Sequence, residues 1–279
     1  MTTNLVERVI WYIESHYAEE LTLDQIADVV GVSRFHLARA FGTATGYSVM
    51  RYLRARRLTM AATNLATGAY DSILDAALDT GYGSHEAFTR AFRETFGVTP
   101  EAVRSQRHVR NITLVEAMSM NKQADNLELE SRIETRPAFL VAGLRARYGE
   151  EASAQIPSQW QQFMPYLGAI GQQLGNETYG VGYNGDDEGH IDYLSGVAVA
   201  DFSDLPAELA TLRIPAQRYV VFDHTDHVST INRTWNYIWS HWLPASGHQP
   251  ADAPFFEQYG ETFDPVSGLG GFELWVPIS

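Results

Sequence analysis

The stretch LTLDQIADVVGVSRFHLARAFGTATG at residues 21–46 recurs as DSILDAALDTGYGSHEAFTRAFRETFG at residues 71–97, and this repeat constrains the fold more than any other feature of the chain. Ala27 and Gly31 match Ala77 and Gly81 at an offset of 50, whereas Ser33, Arg39, Ala40, Phe41 and Gly46 match Ser84, Arg90, Ala91, Phe92 and Gly97 at an offset of 51. One residue is added in the turn. Each copy reads as a short helix opened by a capping pair, Thr22 with Gln25 or Ser72 with Asp75. A glycine-containing turn follows, then a second helix with Ser33 or Ser84 as its N-cap. The pattern predicts a helix-turn-helix, made twice.

Between the copies, SVMRYLRARRLTMAATNL carries Leu58, Ala61, Ala62 and Leu65 at i, i+3, i+4, i+7 and reads as one amphipathic connecting helix. Its length of about 27 Å is near the roughly 34 Å that separates successive major grooves on one side of DNA. Two recognition helices of one polypeptide are therefore expected to enter adjacent grooves. Beside the apolar Leu37 and Phe41, the first exposes Arg34, Ala38 and Arg39; the second exposes His85, Glu86, Thr89 and Arg90. Arginine can make a bidentate pair with guanine, and threonine can meet a thymine methyl.

A net charge of −14 argues against nucleic-acid binding only until it is divided along the chain. Residues 1–110 hold 12 Arg and no Lys against 12 Asp and Glu, while residues 111–279 hold 8 basic and 22 acidic residues. All the excess negative charge belongs to the second part. In the first, RYLRARR gathers Arg51, Arg54, Arg56 and Arg57, and Arg54 and Arg56 are assigned to DNA phosphates. The 279 residues, 45% of them hydrophobic, suffice for two packed domains. The absence of cysteine removes disulfides, thiolate metal ligands and cysteine nucleophiles. No basic-then-apolar leader and no run of about 18 apolar residues occurs, so a cytoplasmic protein that does not enter the membrane is expected.

With its two matched caps, turns and arginines, the first part resembles the AraC-type DNA-binding domain. The resemblance runs over residues 4–108 through IADVVGVSRFHLARAF, YLRARRLTMA and GYGSHEAFTRAFRETFGVTP, closing with Thr99 as N-cap and Pro100 in the first turn. It implies an all-α domain over 1–108. It places Phe35, Ala38 and Arg39 at the DNA face of the first recognition helix, and His85, Glu86, Thr89 and Arg90 at that of the second. Ala38 stands where relatives often have a polar residue, which leaves base reading by the first helix largely to Arg39.

Residues 109–126, VRNITLVEAMSMNKQADN, show no clear period and read as a linker. Beyond it, ETRPAFLVAGLRARYG, the helical IPSQWQQFMPYLGAI, and the strands YGVGYN and IDYLSGVAVA are echoed by LRIPAQRYVVFDH, STINRTWNYIWSHWL, PFFEQYG and FELWVPI. Two strand-helix-strand-strand halves are expected, an α+β domain over 127–279 with a pseudo-twofold axis. Pro137 and Pro215 would start corresponding strands. The cleft between halves is the natural ligand site, and Tyr183, Tyr193, Trp235, Trp239, Tyr259 and Trp275 are the aromatic candidates to line it. Ile231, Trp235, Ile238 and Trp242 equally fit the buried stripe of one helix.

In the terminal strand GFELWVPIS, Phe272, Leu274, Val276 and Ile278 share one face while Glu273 and Trp275 share the other. Glu273 either faces the cleft or faces solvent, paired there with an arginine such as Arg145 or Arg218. This second part resembles the GyrI-like effector-binding domain, most specifically at FELWVPI. The resemblance implies Glu273 in the pocket floor, with Trp275 and Tyr193 beside it. The whole then looks like the Rob-like subgroup of AraC-type transcription regulators. That resemblance implies promoter DNA, a small organic effector and RNA polymerase as partners, with no cofactor and no enzymatic activity; Glu273 beside Trp275 and Tyr193 points to an effector that is aromatic or amphipathic and often cationic. Some GyrI-like domains are hydrolases, so a hydrolase fused to a DNA-binding head is the alternative. DHTDH offers His224 and His227 with Asp223 and Asp226, but without a third ligand at helical spacing it reads as a polar loop, not a metal site. NGDDEGH reads as a solvated hairpin turn.

Overall fold

In a computed structural model, residues 5–118, 129–149 and 152–279 are described; the expected linker at 119–126 lies outside them. Seven helices occupy the first part: α1 (Leu5–His16), α2 (Leu23–Val30), α3 (Arg34–Thr45), α4 (Val49–Thr67), α5 (Ile73–Asp79), α6 (His85–Phe96) and α7 (Pro100–Gln106). The caps fall where the sequence puts them. Thr22 accepts from the Gln25 amide and Ser72 from the Asp75 amide, each in a reciprocal capping box. Ser33, Ser84 and Thr99 cap α3, α6 and α7 through the amides of His36, Ala87 and Ala102. Gly31, Gly46 and Gly97 close α2, α3 and α6 in the left-handed conformation, which costs a glycine little.

The chain forms two compact units: Met1–Gly31 with Val49–Lys122, and Val32–Ser48 with Gln123–Ser279. The first copy of the repeat is thus divided, with α2 in the first unit and α3 in the second. In the first unit Leu58, Ala61, Ala62 and Leu65 of α4 join Ile73, Ala76 and Ala77 of α5 and Phe88, Phe92 and Phe96 of α6 in one core. Val109, Ile112 and Leu114 pack against that core, so residues 109–118, expected as linker, are anchored to it. Polar ties to α4 add to this: the Val115 amide on Thr59 Oγ1 (3.1 Å), the Met118 amide on the Tyr52 hydroxyl (3.0 Å) and the Arg56 guanidinium on the Val115 carbonyl (2.5 Å).

The second unit holds an antiparallel sheet of β1 (Ser131–Arg136), β2 (Phe139–Tyr148), β3 (Gln173–Tyr183), β4 (Ile191–Val199), β5 (Ala210–Ile214), β6 (Gln217–His224), β7 (Phe255–Tyr259) and β8 (Phe272–Ile278). Helix α8 (Ala152–Phe163) follows β2. After β6 come α9 (Ile231–Tyr237), a π-helical turn (Ile238–Trp242) and α10 (Leu243–Ser246). The order β1-β6-β8-β7-β3-β4-β2-β5 reads the same from both ends when each strand is exchanged for its counterpart four places along, which is the expected pseudo-twofold. Each half nevertheless has one strand more than expected. Pro137 and Pro215 lie in two-residue links joining β1 to β2 and β5 to β6, not at the start of a strand. A fixed φ and a missing N–H suit proline to such reversals. The leading strands cross over, β1 pairing with β6 and β5 with β2.

Candidate functional site

The two central strands, β3 and β7, carry the seam between the halves. Gly180 of β3 faces Glu257 of β7, and Glu257 in turn faces Leu274 of β8. Alternation along β7 puts Phe255, Glu257 and Tyr259 on one face of the sheet, with Tyr193 of β4 on that face through its pairing with Gly182. Glycine is required at both facing positions. A Cβ on Gly180 would overlap the Tyr193 hydroxyl and the Glu257 carboxylate, and one on Gly182 would enter the Phe255 ring.

The space so left is filled by one carboxylate and its donors. Glu257 is buried and accepts from Tyr193 (2.7 Å), Tyr259 (3.2 Å) and the Trp235 indole (3.4 Å). The Trp160 indole of α8 donates to the Tyr193 oxygen at 3.1 Å and so orients the phenol. Trp160 also packs edge-on against Tyr259. Burial pushes the Glu257 carboxyl above its usual range, while the hydrogen bonds of Tyr193, Tyr259 and Trp235 pull it back. Burial, then the Glu257 charge, drives the Tyr193 and Tyr259 phenols well above theirs, so both remain donors. The arrangement is a buried carboxyl group held in an aromatic enclosure.

Helix α3 lies on the same side. The Arg39 guanidinium sits 4.0 Å above the centre of the Phe255 ring. Burial brings its pKa down to about 10, against the opposing pull of Glu257, so it stays charged at neutral pH. Phe35 meets the Trp239 ring edge-on, and His36 Nε2 lies 3.0 Å from the Trp239 carbonyl. Trp239 stacks on Trp235, so the π-helical turn carries α3 on one side and the Glu257 enclosure on the other.

Residues 129–279 match the family of the GyrI-like small molecule binding domain. The chain belongs to that family. Residues 26–106 match a helix-turn-helix domain family, and this helical part is AraC-type. The right origin-binding protein of Escherichia coli (strain K12) is 38% identical over 100 residues, which are 36% of this chain and 34% of that protein. The chain thus spans about a third of that relative's length. The regulatory protein SoxS of Salmonella typhimurium is 37% identical over 100 residues, 36% of this chain and 92% of SoxS. The transcriptional regulator BrlR of Pseudomonas aeruginosa is 29% identical over 152 residues, 54% of this chain and 56% of BrlR. No helix of the described residues is long and apolar enough to cross a membrane.

In this GyrI-like domain the sequence-derived ligand set separates onto two faces. Tyr193 and Trp235 reach Glu257, and Trp239 backs Trp235. Glu273, Trp275 and Tyr183 point to the opposite face, because Glu273 pairs with Gln258 and Trp275 with Phe256, the residues alternating with Glu257. There Trp275 is buried against Phe256 and Tyr219, and Tyr183 packs against the same cluster. Glu273 is not in an aromatic floor beside Tyr193. It is paired with Arg132, which also holds Asp223 at 3.2 Å and Glu134 at 2.5 Å, and it accepts from the Trp275 indole at 2.9 Å. Its arginine partner is Arg132, not Arg145 or Arg218. Phe-x-Glu-x-Tyr in PFFEQYG, an acid between aromatics at strand spacing, is the sequence signal that marks Glu257.

Among the DNA-reading candidates, His85, Glu86, Thr89 and Arg90 of α6 line one open depression with Arg93 and Glu94. His85 Nε2 lies 2.8 Å from Glu101, and the backbone amide at its own position, then Ser84, holds the Glu86 carboxyl below its usual range. On α3, Arg34 is exposed and 3.9 Å from Asp187, Ala38 is partly covered, and Arg39 is turned onto Phe255 instead of projecting into solvent. Arg54 is exposed as a phosphate contact requires. Arg56 is not: it is buried, with both Glu14 oxygens at 2.7 Å and the Val115 carbonyl at 2.5 Å. Its neighbour Arg57 is likewise turned to the carbonyls of Tyr17 and Glu19.

Two buried histidines give the second unit a pH dependence. Burial lowers the pKa of His36, whose Nδ1 has no hydrogen-bond partner, and of His224, which lies 2.8 Å from Thr234 Oγ1. Because their folded values lie below the ordinary 6.5, the unfolded chain binds more protons as the pH falls past that value. Stability present above pH 6.5 should therefore be lost below it, at up to about 1.4 kcal/mol per pH unit for each histidine. Denaturant midpoints at pH 7.5 and 5.5 measure this, and His224→Gln should flatten the difference.

Proposed function

We propose that the chain is a sequence-specific DNA-binding transcription regulator whose GyrI-like domain binds an organic, aromatic cation. The observation that carries this reading is a buried Glu257 enclosed by Tyr193, Tyr259, Trp235 and Phe255 in the same polypeptide as a duplicated helix-turn-helix. An ionised carboxylate in apolar surroundings is costly unless it is compensated, and a flat cation supplies both the charge and the stacking surface. Two relatives named as regulators, SoxS and BrlR, support the regulatory reading. Promoter DNA is the macromolecular target in this reading, with RNA polymerase as the further partner through which a promoter-bound regulator acts, and the cytoplasm as the place of action. Residues 1–108 and 127–279 are taken as the DNA-binding and effector-binding regions.

Footprinting tests the DNA half. Arg90→Ala should cost about 1–3 kcal/mol at the cognate site and relax preference at one base pair. Arg54→Ala should instead weaken binding to every sequence and lower its salt dependence. A protein that protects no promoter, including the one upstream of its own gene, would sink the proposal. The hydrolase alternative draws on the raised pKa of Glu257, which would suit a general acid. Recovery of chemically unchanged ligand by mass spectrometry after incubation separates a sensor from a hydrolase.

A further inference from the structure

The GyrI-like site already has a cation against it, and that cation belongs to the chain. Arg39 lies on the face of Phe255, whose edge meets Trp235, and its charge is felt by Glu257. The rest of α3 is fitted to the same surface. His36 is buried beside the Trp239 carbonyl, Phe35 lies against the Trp239 ring, and Arg34 is near Asp187. At the far end of the segment, Ser48 approaches Gly189 so closely that a Cβ there would collide with it. We propose that Arg39 is an internal occupant of the Glu257 site, that an organic cation and Arg39 compete for it, and that ligand binding thereby releases the first DNA-reading helix.

The inference rests on the reading of Glu257 as a cation site and of α3 as a DNA-reading helix. One side chain cannot stack on Phe255 and pair with a base at the same time, so the docked and DNA-bound states of Arg39 exclude each other. The docked state is also imperfect. The Arg39 Nε is shut off from solvent with no hydrogen-bond partner, a fault that a quaternary nitrogen does not share because it has no N–H to satisfy. The favoured competitor is therefore a flat quaternary aromatic cation. Because coupling is reciprocal, a cation that frees α3 strengthens DNA binding by the same factor by which DNA strengthens cation binding.

The test is calorimetry on the full chain with N-methylquinolinium, for wild type, Arg39→Ala, Arg39→Lys and Glu257→Gln. If Arg39 occludes the site, Arg39→Ala should bind the cation about tenfold tighter or more, Arg39→Lys should stay near wild type, and Glu257→Gln should bind it about ten- to a hundredfold more weakly. Saturating the wild type with the cation should also speed amide hydrogen exchange in residues 34–45. Equal affinities for wild type and Arg39→Ala, with binding still weakened in Glu257→Gln, would overturn the competition and leave the cation site standing. Unchanged exchange in 34–45 at saturation would overturn the release of α3. Wild-type affinity in Glu257→Gln, or no binding by wild type and Arg39→Ala alike, would overturn the cation site and the competition with it.

Discussion

Arg56→Met is expected to destabilise the helical unit by about 3 kcal/mol, near the low end for an ion pair broken in a protein interior. The arginine spans three segments. It takes both oxygens of Glu14 on α1 and the carbonyl of Val115, and Glu14 also accepts from Tyr52 at 2.7 Å. Removing the guanidinium leaves a carboxylate that keeps 21% of its side chain in water, and that partial hydration places the cost at the low end. Burial and Glu14 together push the Tyr52 phenol up to about 12, so the tyrosine stays a neutral donor to Glu14 and supplies no charge in place of the guanidinium. Urea unfolding followed by helical circular dichroism gives the measurement. The double variant Arg56→Met with Glu14→Leu should recover much of the loss, since an apolar pair of similar volume leaves no charge unmatched. Unchanged stability with a weaker salt dependence of DNA binding would restore Arg56 to the phosphate face.

The arginines of RYLRARR show where reading a sequence stops. Their spacing fixes that they share a helix, and the capping pairs fix where the neighbouring helices begin, because both are local properties of a few residues. Which of the four arginines turn inward depends on Glu14, Tyr17, Glu19 and Val115, about 40 to 60 residues away in the chain. The sheet repeats the lesson. Alternation assigns Glu273 and Trp275 correctly to one face, yet it cannot say which face carries the site, and that choice follows from pairing with β7. The strands that begin each half were hidden for another reason. Proline suits a strand start and a tight reversal alike, and here it sits in a two-residue reversal after a leading strand that pairs with the opposite half. The place of α3 was beyond any local signal, since Arg39 has the same spacing whether it faces a base or Phe255.

Two carboxylates on opposite faces of adjacent strands provide a direct contrast. Glu257→Gln should weaken binding of N-methylquinolinium by about ten- to a hundredfold, the loss of a charge-assisted contact of roughly 1.5–3 kcal/mol, and leave 1-methylnaphthalene, its uncharged isostere, nearly unaffected. Glutamine keeps the volume and, on one oxygen, an acceptor for Tyr193 and Tyr259, and it gives up only the longest of the three bonds, from the Trp235 indole at 3.4 Å, so most of the enclosure survives while the charge is removed. Glu273→Gln should leave both ligands at wild-type affinity, because its charge is spent on Arg132 on the other side of the sheet. The pH dependence should distinguish them too. Burial holds the Glu257 carboxyl above its usual range, so cation affinity should fall as the pH drops through that raised value, where the proton competes with the ligand. Equal losses for the cation and the neutral isostere would reduce Glu257 to a structural acceptor. A loss confined to Glu273→Gln would move the cation site to the face where Trp275 and Tyr183 lie.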